Sequence, residues 1–182
     1  MLGLVFTEFV ELVEDKFSPE VADAVLQDVA APHGGAYTAV GYYPHGEMVA
    51  MVGALSARTG VLASDLLKTF GGHLLERFTQ AHGGMFARHA TLFDLLSAID
   101  GEIHVEVRKL YAQAALPRFA VLSRDERCLG LLYQSPRRME DLALGLMAAA
   151  ARHYGEPCRI SHSTYSGPEG DGTLFTGEKV AG

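Results

Sequence analysis

Apolar residues recur at helical spacing from Leu2 to Leu110 and at strand spacing after Pro117, and this change of period is the strongest constraint on the fold. Leu2, Val5, Phe6, Phe9, Val10, Leu12, Val13 and Phe17, with glutamates between them, describe one amphipathic helix. Ser18-Pro19-Glu20 supplies an N-cap and a first-turn proline for a second helix to about Ala30, stopped by Pro32, Gly34 and Gly35. Residues 37–44 read as a loop, followed by helices over about 46–59 and 64–82, the latter capped by Ser64 and ended by Gly83-Gly84. The clearest helix spans 92–110, with Leu92, Leu96, Ile99, Ile103, Val107 and Leu110 on one stripe. Beyond Pro117, residues 118–123 and 127–133 predict a hairpin around Arg124-Asp-Glu126. A helix over 139–154, ended by Gly155 and Pro157, precedes a second hairpin of 158–165 and 173–176. The predicted fold class is α+β: an N-terminal helical subdomain of about 1–62, then an α+β subdomain of about 63–182 in which a long helix precedes a small antiparallel sheet with one packed helix. A chain of 182 residues, 48% hydrophobic, suits a single domain with apolar side chain enough for a core and a buried pocket.

Charge narrows the partners. A formal charge of -7, with no run of basic residues, disfavours nucleic acid and anionic membranes. Glu8, Glu11 and Glu14 interrupt the first apolar stretch and no basic residue precedes Lys16, so it does not read as a signal peptide. The longest apolar run, 146–151, is too short to span a bilayer, which predicts a soluble cytoplasmic protein. Cys128 and Cys158 form no metal motif and are expected to be free thiols.

The chemistry concentrates in two places. Within Leu132-Tyr-Gln-Ser-Pro-Arg-Arg-Met139, residues two apart on an extended backbone share a face at about 7 Å, so Tyr133, Ser135 and Arg137 form a fork suited to carboxylates. Upstream, His104 offers an imidazole nitrogen suited to iron. A ligand with a metal at its centre and acids at its rim fits both, and haem is such a ligand. Plainer readings stand beside this one. By helical spacing His104 lies about 100° from the Leu92/Ile99/Val107 stripe, beside Phe93, Asp100 and Tyr111, where a boundary histidine would be solvated or bonded to a carbonyl. Tyr133, Ser135 and Arg137 also suit an edge strand, with Pro136 donating no ladder bond. Pro117 suits a helix-to-strand breaker, and Leu4, Val5, Phe9, Leu74 and Phe78 suit helix core. The remaining seven histidines form no ligand pair. The run 172–179 nearly spells a phosphate-binding loop, but Glu178 displaces Lys179 by one position. No paired carboxylates or Ser/Cys-His nucleophile spacing support an active site.

The stretch from Phe93 to Arg137 resembles the haem nitric oxide/oxygen-binding (H-NOX, HNOB) family. That family carries an axial histidine on a helix, a proline thirteen residues later and a Tyr-x-Ser-x-Arg signature, matched here by His104, Pro117 and Tyr133/Ser135/Arg137. The opening Met1-Leu-Gly-Leu-Val-Phe6, the stretch 37–44 and residues 145–157 are similar to the family's corresponding segments. The resemblance implies one haem-binding domain over 1–182, with haem b (iron protoporphyrin IX) held at its iron by His104 and at its propionates by Tyr133, Ser135 and Arg137. It also implies that Pro117 packs against the macrocycle and that some of Leu4, Val5, Phe9, Leu74 and Phe78 line the distal side. Oxygen-binding relatives place a distal tyrosine nine residues after the signature tyrosine, and here that position is Leu142. Without that donor, nitric oxide and carbon monoxide are the expected ligands and stable oxygenation is not. The implied role is a gas sensor rather than an enzyme, in which release of the axial histidine frees its helix and signals to a separate histidine kinase or diguanylate cyclase/phosphodiesterase, in two-component or cyclic-di-GMP signalling. The last hairpin departs from the family pattern: 163–172 lacks the cysteine-rich or Gly-Asp-His run that holds zinc in some members. Two rivals remain open. One is a haem-free ligand-binding or protein-interaction module of the same fold; the other is a haem enzyme with peroxidase-like turnover, for which Leu142 and the apolar first helix supply no acid/base group.

Overall fold

The computed structural model describes residues 1–30 and 34–180, so the predicted stop at Pro32 lies outside the described residues. Helix α1 (Gly3–Lys16) buries Phe6, Phe9, Leu12 and Val13, as its periodicity requires. Ser18 caps α2 (Pro19–Val29) by accepting from the Val21 N–H at 3.3 Å, and Ala30, at φ 46°, closes that helix in the left-handed region. Helix α3 (His45–Thr59) ends at Gly60, whose φ of 74° favours glycine. The Ser64 cap is overturned: α4 (Ala63–Ala81) begins one residue earlier, after Leu62, and has no side-chain cap. The link from α3 is only three residues long, and the Leu62 carbonyl already accepts from Asp65 and Leu66, which leaves Ser64 inside the first turn. Gly83 and Gly84 do follow the end of α4, but they open a short helix, α5 (Gly83–Phe86).

Two cores result. Phe6, Phe9, Val25, Met51 and Leu55 pack with Leu66, Phe70 and Leu74 of α4 in one. Leu75 of the same helix belongs to the other, with Leu92, Phe93, Leu96, Leu131, Met147 and Phe175. Helix α4 crosses α8 (Glu140–His153) at two glycines. A Cβ on Gly71 would stand 2.4 Å from the Leu142 carbonyl oxygen, and one on Gly145 would collide with backbone around Lys68.

A buried carboxylate also fastens α1 to α4. Glu8 is 6% exposed; its Oε2 lies 2.9 Å from His73 Nε2 and 3.0 Å from Arg77 Nε. Glu8→Ala strips His73 of its acceptor and leaves Arg77 only its 3.6 Å ion pair with Glu11, and is expected to lower stability by about 2 kcal/mol, read from denaturant unfolding, less than for a fully buried pair because Arg77 is 43% exposed.

The predicted continuous helix over 92–110 is broken. Helix α6 (Leu92–Ser97) is capped by Thr91 and Asp94 acting reciprocally, a π-helical turn occupies Ile99–Ile103, and α7 (His104–Leu110) follows. Arg124 grips the base of α6 through Asp94 and Ser97, with guanidinium contacts of 2.5 and 3.0 Å.

Strands β1 (Arg118–Arg124), β2 (Cys128–Gln134), β3 (Cys158–Tyr165) and β4 (Gly172–Lys179) form one antiparallel sheet in the order β1-β2-β4-β3. Strand β4 runs longer than its predicted four residues because it pairs on both sides, with β2 and with β3. Alternation turns Leu129, Leu131, Tyr133 and Phe175 toward α8 and the second core. The edge-strand reading of Tyr133 is therefore wrong: β2 is interior, and Pro136 lies beyond its end. Both cysteines are free. Cys128 pairs with Glu178 and Cys158 with Lys179, so the thiols project from opposite faces with β4 between them. Among the described residues no single helix is long and apolar enough to cross a membrane; α3 and α4 pass that test only jointly, and they bend by 115° at their junction.

Candidate haem site

A cavity of about 320 Å³ opens between α1, α4, α7, α8 and the start of the sheet, and its wall is almost wholly apolar. Its size falls in the range of about 300–1,000 Å³ usual for cofactor pockets. Leu4 and Val5 of α1, Leu74 and Phe78 of α4, and Leu142 and Leu146 of α8 line it together with His104 and Pro117.

His104 begins α7 and is buried, against the expectation of a solvated boundary residue. Its Nδ1 lies 3.2 Å from Asp100 Oδ1. A carboxylate only accepts, so Nδ1 carries the proton and Nε2 keeps its lone pair. Burial lowers the imidazole pKa, opposed by Asp100 and assisted by the charge of Arg108, which favours the neutral form that a metal requires. The Phe119 ring packs at 6.0 Å from the imidazole and at 5.3 Å from Tyr133, which fixes the histidine's orientation from the sheet side.

Tyr133, Ser135 and Arg137 meet at the cavity's polar corner. They do not do so as one extended run. The strand stops at Gln134, and the chain turns through Ser135–Arg138, where Arg138 takes φ 51° in the left-handed region before α8 begins. The turn is pinned by the Arg137 N–H donating to Ser135 Oγ at 3.2 Å and by Arg137 Nη1 donating to the Ala115 carbonyl. Burial raises the Tyr133 pKa, opposed by its hydrogen bond with Ser135, so the phenol remains a donor at neutral pH. Arg137 forms no ion pair among the described residues. A half-buried guanidinium and a phenol facing an apolar cavity suit an anionic group arriving from within it. A free imidazole nitrogen on the wall and a cationic corner at the rim fit the donor set that haem needs.

The family model for Haem-NO-binding proteins matches residues 2–162. The chain belongs to the H-NOX family. Solved H-NOX structures agree over the whole fold. The Fe(II) unliganded protein from K. algicida is 34% identical with a TM-score of 0.93, covering 100% of this chain and 98% of that one. The IWP-051-bound H-NOX from Shewanella woodyi, in the Fe(II)CO ligation state, is 35% identical with a TM-score of 0.83, covering 99% and 95%. An S. oneidensis H-NOX protein in the Fe(II)NO ligation state is 26% identical with a TM-score of 0.90, covering 100% of both chains. No curated protein matches the chain.

Of the positions that the H-NOX resemblance assigns to the cofactor, one does not reach the cavity. Phe9 is fully buried in the N-terminal core, its ring edge-on to Phe70 at 5.1 Å, because it sits one helical turn beyond Val5 and faces α4 below the pocket. Sequence reasoning also missed wall residues. Phe119 and Tyr111 flank the His104 side, and Met85, Phe86, Leu95 and Leu96 extend the apolar wall. Alternation with Tyr133 across the hairpin was the signal available for Phe119, which pairs with it in register. His82, at the exposed end of α4, also borders the cavity; nothing in its sequence context marks it.

Proposed function

We propose that this H-NOX chain is a sensor of nitric oxide and carbon monoxide that works through ferrous haem b and relays to a separate signalling enzyme. One observation carries the reading: a buried, neutral imidazole with a free Nε2 shares an apolar cavity with an arginine that forms no ion pair among the described residues. The Fe(II)NO and Fe(II)CO states named for S. oneidensis and Shewanella woodyi relatives support it. When bound, ferrous haem would supply an iron able to take up a diatomic gas. The chain's own residues do the rest. His104 would hold the metal through Nε2, with Asp100 fixing its tautomer. Tyr133, Ser135 and Arg137, which line the cavity's polar corner, would orient the carboxylate edge, and Pro117 on the wall would bear on the ring. Leu4, Val5, Leu74, Phe78 and Leu142 give the gas side an apolar wall.

The distal wall decides selectivity. Bound oxygen draws on a donor, whereas nitric oxide does not, and Leu142 offers none. Ferrous protein is expected to give distinct spectra with nitric oxide and with carbon monoxide, and in air to oxidise without a stable oxy form. A lasting oxy spectrum would refute the apolar-wall argument. Leu142→Tyr, which restores a hydroxyl at that position, is expected to create one.

Two bodies suit the relay: helices up to about residue 62, and the α+β remainder that carries His104, with α4 spanning both cores. A two-state relay needs only a ligand that favours one arrangement of these bodies over the other. A histidine kinase or a diguanylate cyclase/phosphodiesterase is the proposed recipient, tested by the change in its activity on adding the nitric oxide-bound protein.

A further inference from the structure

The helix leading into His104 is irregular at a telling place. The Ile103 N–H bonds to the Ala98 carbonyl at 3.2 Å, and the His104 N–H bonds to the Ile99 carbonyl, each one residue farther back than in an α-helix. An α-helix turns about 100° per residue, so an uninterrupted one would carry His104 about that angle away from the Leu92/Ile99 stripe. Yet the cavity receives Ile99 and Ile103 from before the break and His104, Val107 and Tyr111 from after it, while Leu110, largely exposed, touches only its margin. Subtracting one residue's rotation from everything beyond the break puts both sets on one face, and His104 then takes the angular place of Ile103. The outward side of the turn is Asp100, Gly101 and Glu102, and a Cβ on Gly101 would meet open space, so the extra residue displaces no apolar side chain.

We propose that the π-helical turn at Ile99–Ile103 is the positioning element for His104: it absorbs one surplus residue and thereby aims the imidazole into the cavity. The inference rests on the haem reading for one of its readouts only. It explains why helical periodicity puts this histidine off the buried stripe while the fold puts it on.

A surplus residue leaves an asymmetric signature. Deleting Gly101 removes the surplus, lets the segment run as plain α-helix and keeps His104 on the cavity face. Inserting an alanine after Gly101 adds a second surplus and swings His104 away by about 100°. In a regular helix either change would swing it away. The test compares full-length wild type, the Gly101 deletion and the alanine insertion, each with ferrous haem added, by the iron–histidine stretching band in resonance Raman spectra. Circular dichroism checks that each is folded. The deletion is expected to keep the band and the insertion to lose it. A folded deletion variant without the band, or an insertion variant that keeps it, overturns the proposal. Should wild type take up no haem, the haem reading fails, and solvent exposure of the His104 ring by NMR still decides: shielded in wild type and deletion, exposed in the insertion, with any other order overturning it. Should either variant fail to fold, couplings across hydrogen bonds in wild type decide. Pairing of the His104 amide with the Ile99 carbonyl upholds the turn, and pairing with the Asp100 carbonyl overturns it.

Discussion

Purified His104→Ala protein is expected to carry almost no haem and to regain a ferrous haem absorption band when free imidazole is supplied. On the proposed reading the side chain supplies the nitrogen donor on a wall that is otherwise aliphatic and aromatic on that side, so removing it would leave only Tyr133, Ser135 and Arg137 at the far corner to hold the group. The vacated space beside Phe119 and above Asp100 suits a free imidazole ring. Folding is expected to survive, because His104 belongs to neither hydrophobic core. Circular dichroism and an absorption titration with imidazole make the measurement. Full haem retention without added imidazole would show that His104 is not the metal ligand. A variant that takes up haem with imidazole but carries none after its removal separates loss of the donor from loss of the pocket.

The largest expected effect on stability comes from Gly145→Ala. The new methyl would overlap the Lys68 carbonyl, and because that atom is helix backbone the collision cannot be relieved by rotating a side chain. Helices α4 and α8 must move apart, opening both cores at their shared seam. A loss of about 3 kcal/mol is expected, at the upper end for overpacked sites. Gly53→Ala is the control. It lies within α3, where the added methyl would meet open space, and it is expected to stabilise by about 0.5–1 kcal/mol through helix propensity. Denaturant midpoints at constant slope would separate the two, and an unchanged midpoint for Gly145→Ala would mean the crossing is looser than its geometry indicates.

Much of this architecture was legible in the amino-acid pattern. Ser18-Pro19 opened α2 where it stands, and the hairpins expected at 118–133 and 158–176 stand there as β1–β2 and β3–β4. The α+β class followed from the switch of period after Pro117, and the solved H-NOX structures share it. What escaped reading were features that no local period encodes. Strand order depends on which hairpins meet, so β2 looked like an edge until β4 paired with it. The fork of Tyr133, Ser135 and Arg137 was recognisable, but its geometry was not: a left-handed Arg138 and a carbonyl from Ala115 bring the groups together where an extended backbone was expected. His104 lay about 100° off its stripe in a count that assumed one helix. The discrepancy was itself the trace of the π-helical turn, and an interruption of the hydrogen-bond ladder leaves no other mark in composition.

Leu74 and Leu75 are adjacent along α4, yet each is buried in a different core. The helix acts as a common beam, and melting the residues around one leucine removes the backbone support of the other. Heating or denaturant should therefore meet one all-or-none transition. A weakness introduced anywhere along that beam is felt at the far end of the molecule.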